Sequence, residues 1–353
     1  MKLFDHPEFE GHEEVRFVHD RETGLRAIIA IHDTTLGPAI GGCRMWPYGS
    51  EGEAVTDVLR LAKAMTWKAA MAGLALGGGK SVIIGDPKRD KTKALFRAFG
   101  RAVEAMGGRF YTGEDVGTAP EDMAEAGRET RYVLGRPGAG SSGDPSPFTA
   151  RGVLMGMEVA LEQALGRRGF EGIRVALQGL GHVGMELARL LSARGARLVV
   201  ADIDRARTAR AARALGAVAV EADAIHRVEA EIFSPCALGG VLNDDTIPEL
   251  GCRIVAGSAN NQLAAARHGR LLHERGILYA PDYVINAGGL INIAGELRPE
   301  GYDRRRALAA LTVIPRRLEE IFRRARESGL PAHEVADRMA REIVEGARHR
   351  RAA

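Results

Sequence analysis

An α/β fold in two domains is what this chain predicts. Three observations carry it. The length, 353 residues, is more than one core ordinarily organises. From residue 173 to 280, apolar strand-like runs alternate with helical patterns, which predicts a doubly wound, mostly parallel sheet with helices on both faces. Residues 135–147, Gly-Arg-Pro-Gly-Ala-Gly-Ser-Ser-Gly-Asp-Pro-Ser-Pro, read as the linker that separates this half from the first.

Apolar runs at 14–19 and 25–32 flank Arg21-Glu-Thr-Gly24 and predict a hairpin. A helix is expected from Ser50 to about Met71. Ser50 can cap it, and Glu53 follows at capping-box spacing. A short strand is expected at 81–84, broken by Gly85-Asp-Pro87. A helix near 90–106 and a strand at 109–112 follow. The second half reads as a helix at 149–166, a strand at 173–178, a helix at 182–194 and a strand at 197–202. A solvated helix is expected at 205–214, with further strands near 216–220, 230–233, 253–256 and 277–280. The Arg-rich tail from about 303 to 350 is helical in pattern.

Composition narrows the function classes. The chain is 45% hydrophobic and 27% charged, enough to bury a sizeable core. Net charge is +3, so nothing calls for nucleic acid or an acidic membrane as partner. Cys43, Cys236 and Cys252 are odd in number and widely spaced, which suits a reducing cytoplasm better than a disulfide framework or a zinc site. The ten histidines form no HxxxH or HExxH pair, so no metal is expected. The start shows no signal-peptide core, and no apolar run reaches a bilayer-spanning length.

Residues 173–204 carry a dinucleotide pattern. A strand-like run ends at Gln178; Gly179-Leu180-Gly181-His182-Val183-Gly184 then opens a helix, and a second strand ends at Asp202, 18 residues after Gly184. Gly179 permits a tight turn, Gly181 lets backbone N–H groups approach a pyrophosphate, and Gly184 allows close helix packing. His182 is expected at the helix start. Asp202 can accept from a ribose 2′-hydroxyl and would repel a 2′-phosphate, so NAD is favoured over NADP. Arg205 lies near enough to keep dual use open.

Lysine usage marks a second region. Only seven lysines accompany forty-two arginines, and two of them, Lys68 and Lys80, bracket a stretch ending Gly77-Gly78-Gly79. Arginine stays charged, whereas lysine can trade protons when buried or crowded by another cation. Gly41 and Gly42 can offer bare N–H groups to a carboxylate, and Lys68 can supply the matching charge. Lys80 follows glycines where backbone can approach a ligand. Asp115, just past a strand end, can bind an ammonium or exchange protons with an amine. Glu114 is its neighbour and rival. Buried Cys43, and Phe148 and Trp67 as core, complete the reading.

Several motifs together resemble the dehydrogenases that oxidatively deaminate leucine, valine and phenylalanine, relatives of glutamate dehydrogenase. They are Gly37-Pro-Ala-Ile-Gly-Gly-Cys-Arg-Met45, Met65-Thr-Trp-Lys68, Gly77-Gly-Gly-Lys80, Gly113-Glu-Asp-Val-Gly117, Ser146-Pro-Phe-Thr-Ala150, Pro235-Cys-Ala-Leu-Gly-Gly240, Gly257-Ser-Ala-Asn-Asn-Gln262 and Tyr279-Ala-Pro-Asp-Tyr-Val-Ile-Asn-Ala-Gly-Gly289. The resemblance implies an N-terminal substrate-binding and oligomerisation domain with a mixed sheet, residues 1–146, completed by C-terminal helices from about 325 to 353. It implies a Rossmann-type NAD domain at 147–324, an active site in the cleft between the two, and a cytoplasmic homo-oligomer. By the same resemblance Lys68 binds the substrate carboxylate with Gly41 and Gly42, beside Met65. Lys80 is the acid/base that activates water, and Asp115 handles protons on the amino group. Thr149 and Asn261 contact the nicotinamide end, Asn286 lies near the substrate, and Cys236 and Ala237 sit on the cofactor side with Leu180 and Val183.

Ile40, Gly113, Leu134, Leu290 and Ile293 line the side-chain pocket by resemblance. None is charged, so a glutamate substrate would bury a carboxylate without a partner. Bulky Leu290 and Ile293, with Asn292, lean toward leucine, valine and isoleucine; Gly113 and Cys43 lean toward phenylalanine. A non-catalytic NAD or amino-acid sensor is the alternative of another class.

Overall fold

The structure is a computed structural model that describes residues 2–138 and 140–352. The chain falls into two compact units. The first comprises residues 1–144, 293–302 and 340–353, and the second 145–292 and 303–339. The linker expected at 135–147 therefore lies largely within the first unit. The return to that unit is later and shorter than a boundary at 325 would make it: residues 325–339 belong to the second unit, and a separate excursion at 293–302 belongs to the first.

In the first unit β1 (Glu14–Asp20) and β2 (Leu25–Asp33) form the expected hairpin, in register from Glu14–Ile31 to Asp20–Leu25. β3 (Ala39–Trp46) leads into α1 (Glu51–Met71), which Ser50 caps by accepting from the Glu53 N–H. The Glu53 carboxylate reaches one residue further back than a capping box requires, to the Gly49 N–H. β4 (Gly77–Ile84), α2 (Lys93–Glu104), β5 (Phe110–Glu114) and α3 (Pro120–Ala126) follow. The sheet order is β1-β2-β4-β3-β5, mixed, with β3 parallel to both its neighbours. One face packs Ile28, Ala30 and Val82 against Ala54, Val55, Val58 and Leu59 of α1. The other packs Ile29, Ile31 and Ile83 with Phe96, Phe99 and Phe110.

The glycines before Lys80 form no loop. Gly77, Gly78 and Gly79 are the first residues of the central strand, which begins four residues earlier than apolar character alone suggests. Their neighbours come too close for side chains. A Cβ on Gly78 would lie 2.1 Å from the Thr66 nitrogen, and one on Gly79 2.8 Å from the Phe110 ring.

The second unit starts with α4 (Ser146–Leu165), earlier than expected because Pro147 suits a first helical turn. Then come β6 (Arg174–Gln178), α5 (His182–Ser192), β7 (Arg197–Ala201), α6 (Arg205–Leu215), β8 (Val218–Ala219), β9 (Ile232–Pro235) and β10 (Ile254–Val255). α7 (Ala266–Glu274), β11 (Leu278–Tyr279), α8 (Asp282–Ile285), α9 (Gly288–Ala294), α10 (Arg304–Ala310), α11 (Val313–Ser328) and α12 (Ala332–Ala352) complete the chain. The parallel sheet runs β11-β10-β9-β6-β7-β8, so strand order reverses between β6 and β9. No described helix is long and apolar enough to cross a membrane.

Candidate active site

Registers across β3 bring the first functional group together. Cys43 pairs with Ser81 on one side and with Glu114 on the other, so Lys80 and Asp115 flank the same stretch of β3. Lys80 Nζ lies 3.0 Å from Asp115 Oδ2, and the Lys80 residue is only 5% exposed. A second cation meets the same oxygen: Arg44 Nε donates to it at 2.9 Å. Arg44 also donates to Asp57 Oδ2 at 2.9 Å, and the Tyr48 hydroxyl donates to that oxygen at 2.7 Å. Asp115 thus joins Lys80 to a polar chain running Tyr48, Asp57, Arg44, Asp115.

Burial by itself would raise the Asp115 carboxyl. Lys80 and Arg44 outweigh burial and hold it below the ordinary carboxylate value. Burial likewise opposes the Arg44 charge, and the carboxylates of Asp115 and Asp57 more than restore it. The loop carrying Asp115 is fastened to β3. Its backbone N–H donates to Thr118 Oγ1, which donates to the Cys43 carbonyl, and the Met45 N–H donates to the Val116 carbonyl. Cys43 is fully buried, and burial pushes its thiol up to about 12, so it offers no reactive thiolate.

Gly41 and Gly42 have a packing reason to be glycine beyond any ligand. A Cβ on Gly41 would fall 1.8 Å from the Gly79 carbonyl oxygen. One on Gly42 would fall 2.6 Å from the Glu114 carbonyl oxygen and 2.8 Å from Asp115 Cβ. These absences let β4 and the Asp115 turn close on β3. Lys68 and Met65 occupy the C-terminal half of α1, both half-buried. Thr66, between them, packs on Gly78, two residues before Lys80.

In the second unit the glycine loop sits at the carboxyl ends of β6 and β9, beside the reversal of strand order where such sheets bind ligands. Gly179 adopts φ +94°, and a Cβ there would lie 2.8 Å from the Ala237 nitrogen. A Cβ on Gly184 would lie 2.0 Å from the Gly179 carbonyl oxygen and 3.4 Å from Cys236 Cβ. Gly181 differs: a Cβ there meets nothing within 4 Å. Gly181 is the N-cap of α5, His182 is its first residue, and among the described residues no side chain caps it. Those first-turn N–H groups suit a pyrophosphate.

Asp202 follows β7 directly. Its Oδ2 accepts from the Leu180 N–H at 2.7 Å and its Oδ1 from the Asp204 N–H at 2.8 Å. The acid thus braces the loop. The Leu180 N–H is committed to this contact, and its side chain is buried. Val183 is half-buried in the first turn of α5.

Thr149, Asn261 and Asn286 all lie within the second unit. Thr149 Oγ1 donates to the Pro145 carbonyl, and a Cβ on Gly289 would meet Thr149 Oγ1 at 2.9 Å. Asn286 is buried; its Nδ2 donates to Asn260 Oδ1 at 2.7 Å and to the Ser258 carbonyl at 3.2 Å. Its Oδ1 has no partner among the described residues, an orphaned acceptor that a carboxamide or ammonium donor would satisfy. Asn261 is the one described residue other than glycine with positive φ, +52°. Such strain concentrates at functional positions. The donor set therefore fits a nicotinamide dinucleotide.

Comparison with known proteins agrees. Residues 12–132 match the profile described as Glu/Leu/Phe/Val dehydrogenase, dimerisation domain. Residues 202–347 match Glutamate/Leucine/Phenylalanine/Valine dehydrogenase. The leucine dehydrogenase of Geobacillus stearothermophilus is 53% identical over 352 residues, covering 99% of this chain and 95% of that one. This chain belongs to the Glu/Leu/Phe/Val dehydrogenase family. The phenylalanine dehydrogenase of Bacillus thermotolerans is 50% identical, with 94% and 88% covered. The crystal structure of L-tryptophan dehydrogenase from Nostoc punctiforme superposes with a TM-score of 0.83 at 44% identity, covering 96% of this chain and 97% of that one. As a member of this family the protein is an amino acid dehydrogenase that uses a nicotinamide cofactor.

Ile40 pairs with Gly78 and Tyr111. Ile293 Cδ1 lies 3.3 Å from where a Gly113 Cβ would be, and the Leu134 carbonyl oxygen lies 3.5 Å from that point. Leu134 is fixed by its N–H, which donates to the Thr112 carbonyl at 2.8 Å. Gly113, Leu134 and Ile293 thus meet inside the first unit. Leu290 is buried and belongs to the second unit.

Sequence reading assigned no role to Arg44, Asp57 and Tyr48. Arg44 stood inside a quoted motif, but nothing local marks an arginine that bridges two carboxylates 13 and 71 residues away. Glu296, whose carboxylate accepts two backbone N–H groups, gave no signal either.

Proposed function

We propose that this dehydrogenase is NAD-dependent and oxidatively deaminates branched-chain L-amino acids, leucine with valine and isoleucine, reversibly to the 2-oxo acid and ammonia. One observation carries the reading: a buried lysine shares a carboxylate oxygen with an arginine beside a glycine-walled strand. Such a site holds two cations and one anion where an amino acid brings a carboxylate and an ammonium. Lys68, with the Gly41 and Gly42 backbone, takes the substrate carboxylate. Asp115, kept ionised by its two cations, accepts from the α-ammonium; its depressed basicity suits holding an ammonium better than removing its proton. Lys80 transfers the protons as water adds to the imine carbon and ammonia departs.

Bound NAD supplies the acceptor for the hydride that leaves Cα. The α5 N-terminus and Gly181 hold its pyrophosphate, and Asp202 its adenosine ribose. Val183, Cys236 and Ala237 flank the loop, and Thr149, Asn261 and Asn286 serve the nicotinamide end. Asp202 supports NAD over NADP, because a 2′-phosphate would face a carboxylate.

Ile40, Gly113, Leu134 and Ile293 in the first unit and Leu290 in the second carry no charge, which supports an uncharged substrate side chain. Phenylalanine is the second reading: Gly113 leaves room beside Ile293, and phenylalanine dehydrogenases are about as similar as leucine dehydrogenases. A cytoplasmic homo-oligomer completes the proposal. Initial rates of reduced-cofactor formation from leucine, isoleucine, valine and phenylalanine, with NAD and NADP, test it. Turnover of phenylalanine alone would overturn the branched-chain assignment; no turnover of any would overturn the whole.

A further inference from the structure

Glu296 lies three residues after Ile293, on a single 3-10 turn at Gly295–Leu297 that directly follows α9. Residues three apart on a helical turn share a face. Ile293 directs its Cδ1 toward Gly113 and also toward Gly135, 3.3 Å from the ideal Cβ position at each. Glu296 directs its carboxylate at the same stretch of chain. Oε2 accepts from the Gly135 N–H at 3.1 Å, and Oε1 accepts from the Ser142 N–H at 2.6 Å. Behind the turn, the Tyr302 ring packs on Gly295, leaving 3.1 Å to an ideal Cβ there.

The segment after Leu134 needs such an anchor. Up to Leu134 the backbone is tied to β5: the Thr112 N–H donates to the Tyr132 carbonyl, and the Leu134 N–H to the Thr112 carbonyl. Past it, Gly135, Gly138, Gly140 and Gly143 all adopt positive φ, conformations that β-ladder pairing does not supply. The two oxygens of Glu296 gather both ends of the Gly135–Ser142 loop. A carboxylate accepting two N–H groups is among the stronger polar anchors available to a backbone.

We propose that Glu296 is a positioning residue for side-chain discrimination: it ties Gly135 and Ser142 to the turn that carries Ile293, and so sets the width of the pocket between Ile293, Gly113 and Leu134. The proposal rests on these residues forming the substrate side-chain pocket. Glu296 does not touch the reacting atoms. Its effect scales with how far the substrate side chain reaches.

Steady-state kinetics of Glu296→Gln and Glu296→Ala with L-leucine and with L-2-aminobutyrate test this. Glutamine keeps one acceptor oxygen and places an NH2 group where the second stood, so it retains one anchor; alanine retains neither. For leucine, kcat/KM should fall about tenfold in the glutamine variant and further in the alanine variant, mainly through KM, in line with the value of a pocket contact of methylene size. For 2-aminobutyrate, whose ethyl side chain is shorter than that of leucine, kcat/KM should stay within about twofold. Hydrogen exchange of wild type adds a readout independent of any variant's folding: the Gly135 and Ser142 amides should exchange slowly. An unchanged leucine to 2-aminobutyrate ratio in both variants, an equal fall in kcat for both substrates, or unprotected Gly135 and Ser142 amides would overturn the role of Glu296 while leaving the proposed reaction intact. Wild type inert toward both substrates would overturn the proposed reaction and, with it, this inference.

Discussion

Replacing Arg44 with methionine removes one of the two cations on Asp115 and keeps much of the apolar stem. The structure sets the scale. Arg44 Nε stands 2.9 Å from Asp115 Oδ2, and the two side chains are only 22% and 21% exposed. A hydrogen bond to a charged partner contributes about 1.5–3 kcal/mol. The direction follows from the present state, in which Asp115 lies below its ordinary value. Its depressed pKa contributes stability above the unfolded value of 3.8, lost as pH falls through the folded value. Losing Arg44 raises the folded value and shrinks that contribution. The assay is kcat/KM for leucine against pH, which reports the free enzyme's ionisations. Its acid limb should move to higher pH. Arg44→Lys should move it less, because an ammonium keeps the charge but loses the fork that reaches Asp57 and Asp115 together. Thermal unfolding at neutral pH should show both variants destabilised, methionine more. A methionine variant with the wild-type acid limb and midpoint would refute the claim that Arg44 holds Asp115 as an anion.

Other perturbations test separate links. Lys80→Ala should lower kcat about a hundredfold or more, and an unchanged kcat would remove Lys80 from the proton transfers. Gly181→Ala should leave the cofactor-free protein's thermal midpoint unchanged, since its Cβ meets nothing within 4 Å. NADH affinity, read by fluorescence titration, should still weaken about tenfold or more as the methyl group displaces a phosphate; full affinity would move the pyrophosphate elsewhere. Gly113→Ala should harm phenylalanine turnover more than leucine turnover, because the added methyl crowds Ile293, and equal losses would argue against that pocket. His32 is buried against His12, 4.8 Å between ring centroids, and burial chiefly lowers it from 6.5 to about 4. The folded state disfavours its charge, so stability should fall between about pH 6.5 and 4, by about 3 kcal/mol at most. His32→Gln should flatten that part of the midpoint-against-pH curve, and an unaltered slope would assign the acid sensitivity elsewhere.

Much of the fold was legible because its signals are local. Ser50 before an amphipathic run marked α1, and the Gly179–Gly184 spacing between two apolar runs marked β6, α5 and β7. Two features were not legible because they depend on distant chain. The Gly77–Gly79 stretch lacks strand propensity, yet it is the start of the central strand, since Thr66, Phe110 and the β2 backbone approach too closely for any side chain. Near the C-terminus, the excursion at 293–302 and the division within α12 leave helical periodicity undisturbed, so nothing local marks them. Within the site, Lys80 and Asp115 stood out by residue type and by their place among glycines. Arg44, Asp57 and Glu296 are ordinary charged residues whose partners only folding brings near.

The glycines tie these observations together. A glycine inside a strand costs about 0.5–1 kcal/mol relative to alanine, and β3 and β4 hold five between them. Their packing shows what that cost achieves. Without side chains at 41 and 79 the central strands draw close, and without one at 42 the Asp115 turn can lie against β3. The consequence is a 3.0 Å contact between a nearly inaccessible ammonium and a carboxylate that two cations keep ionised. An arginine at position 80 could pair with Asp115 equally well, but it could not release a proton. A larger residue at 42 would collide with the Glu114 carbonyl at the end of β5 and displace the carboxylate. Position 80 is therefore constrained by proton chemistry and position 42 by the space the carboxylate needs. The cost falls on strand stability and the return is the fixed geometry of one ion pair.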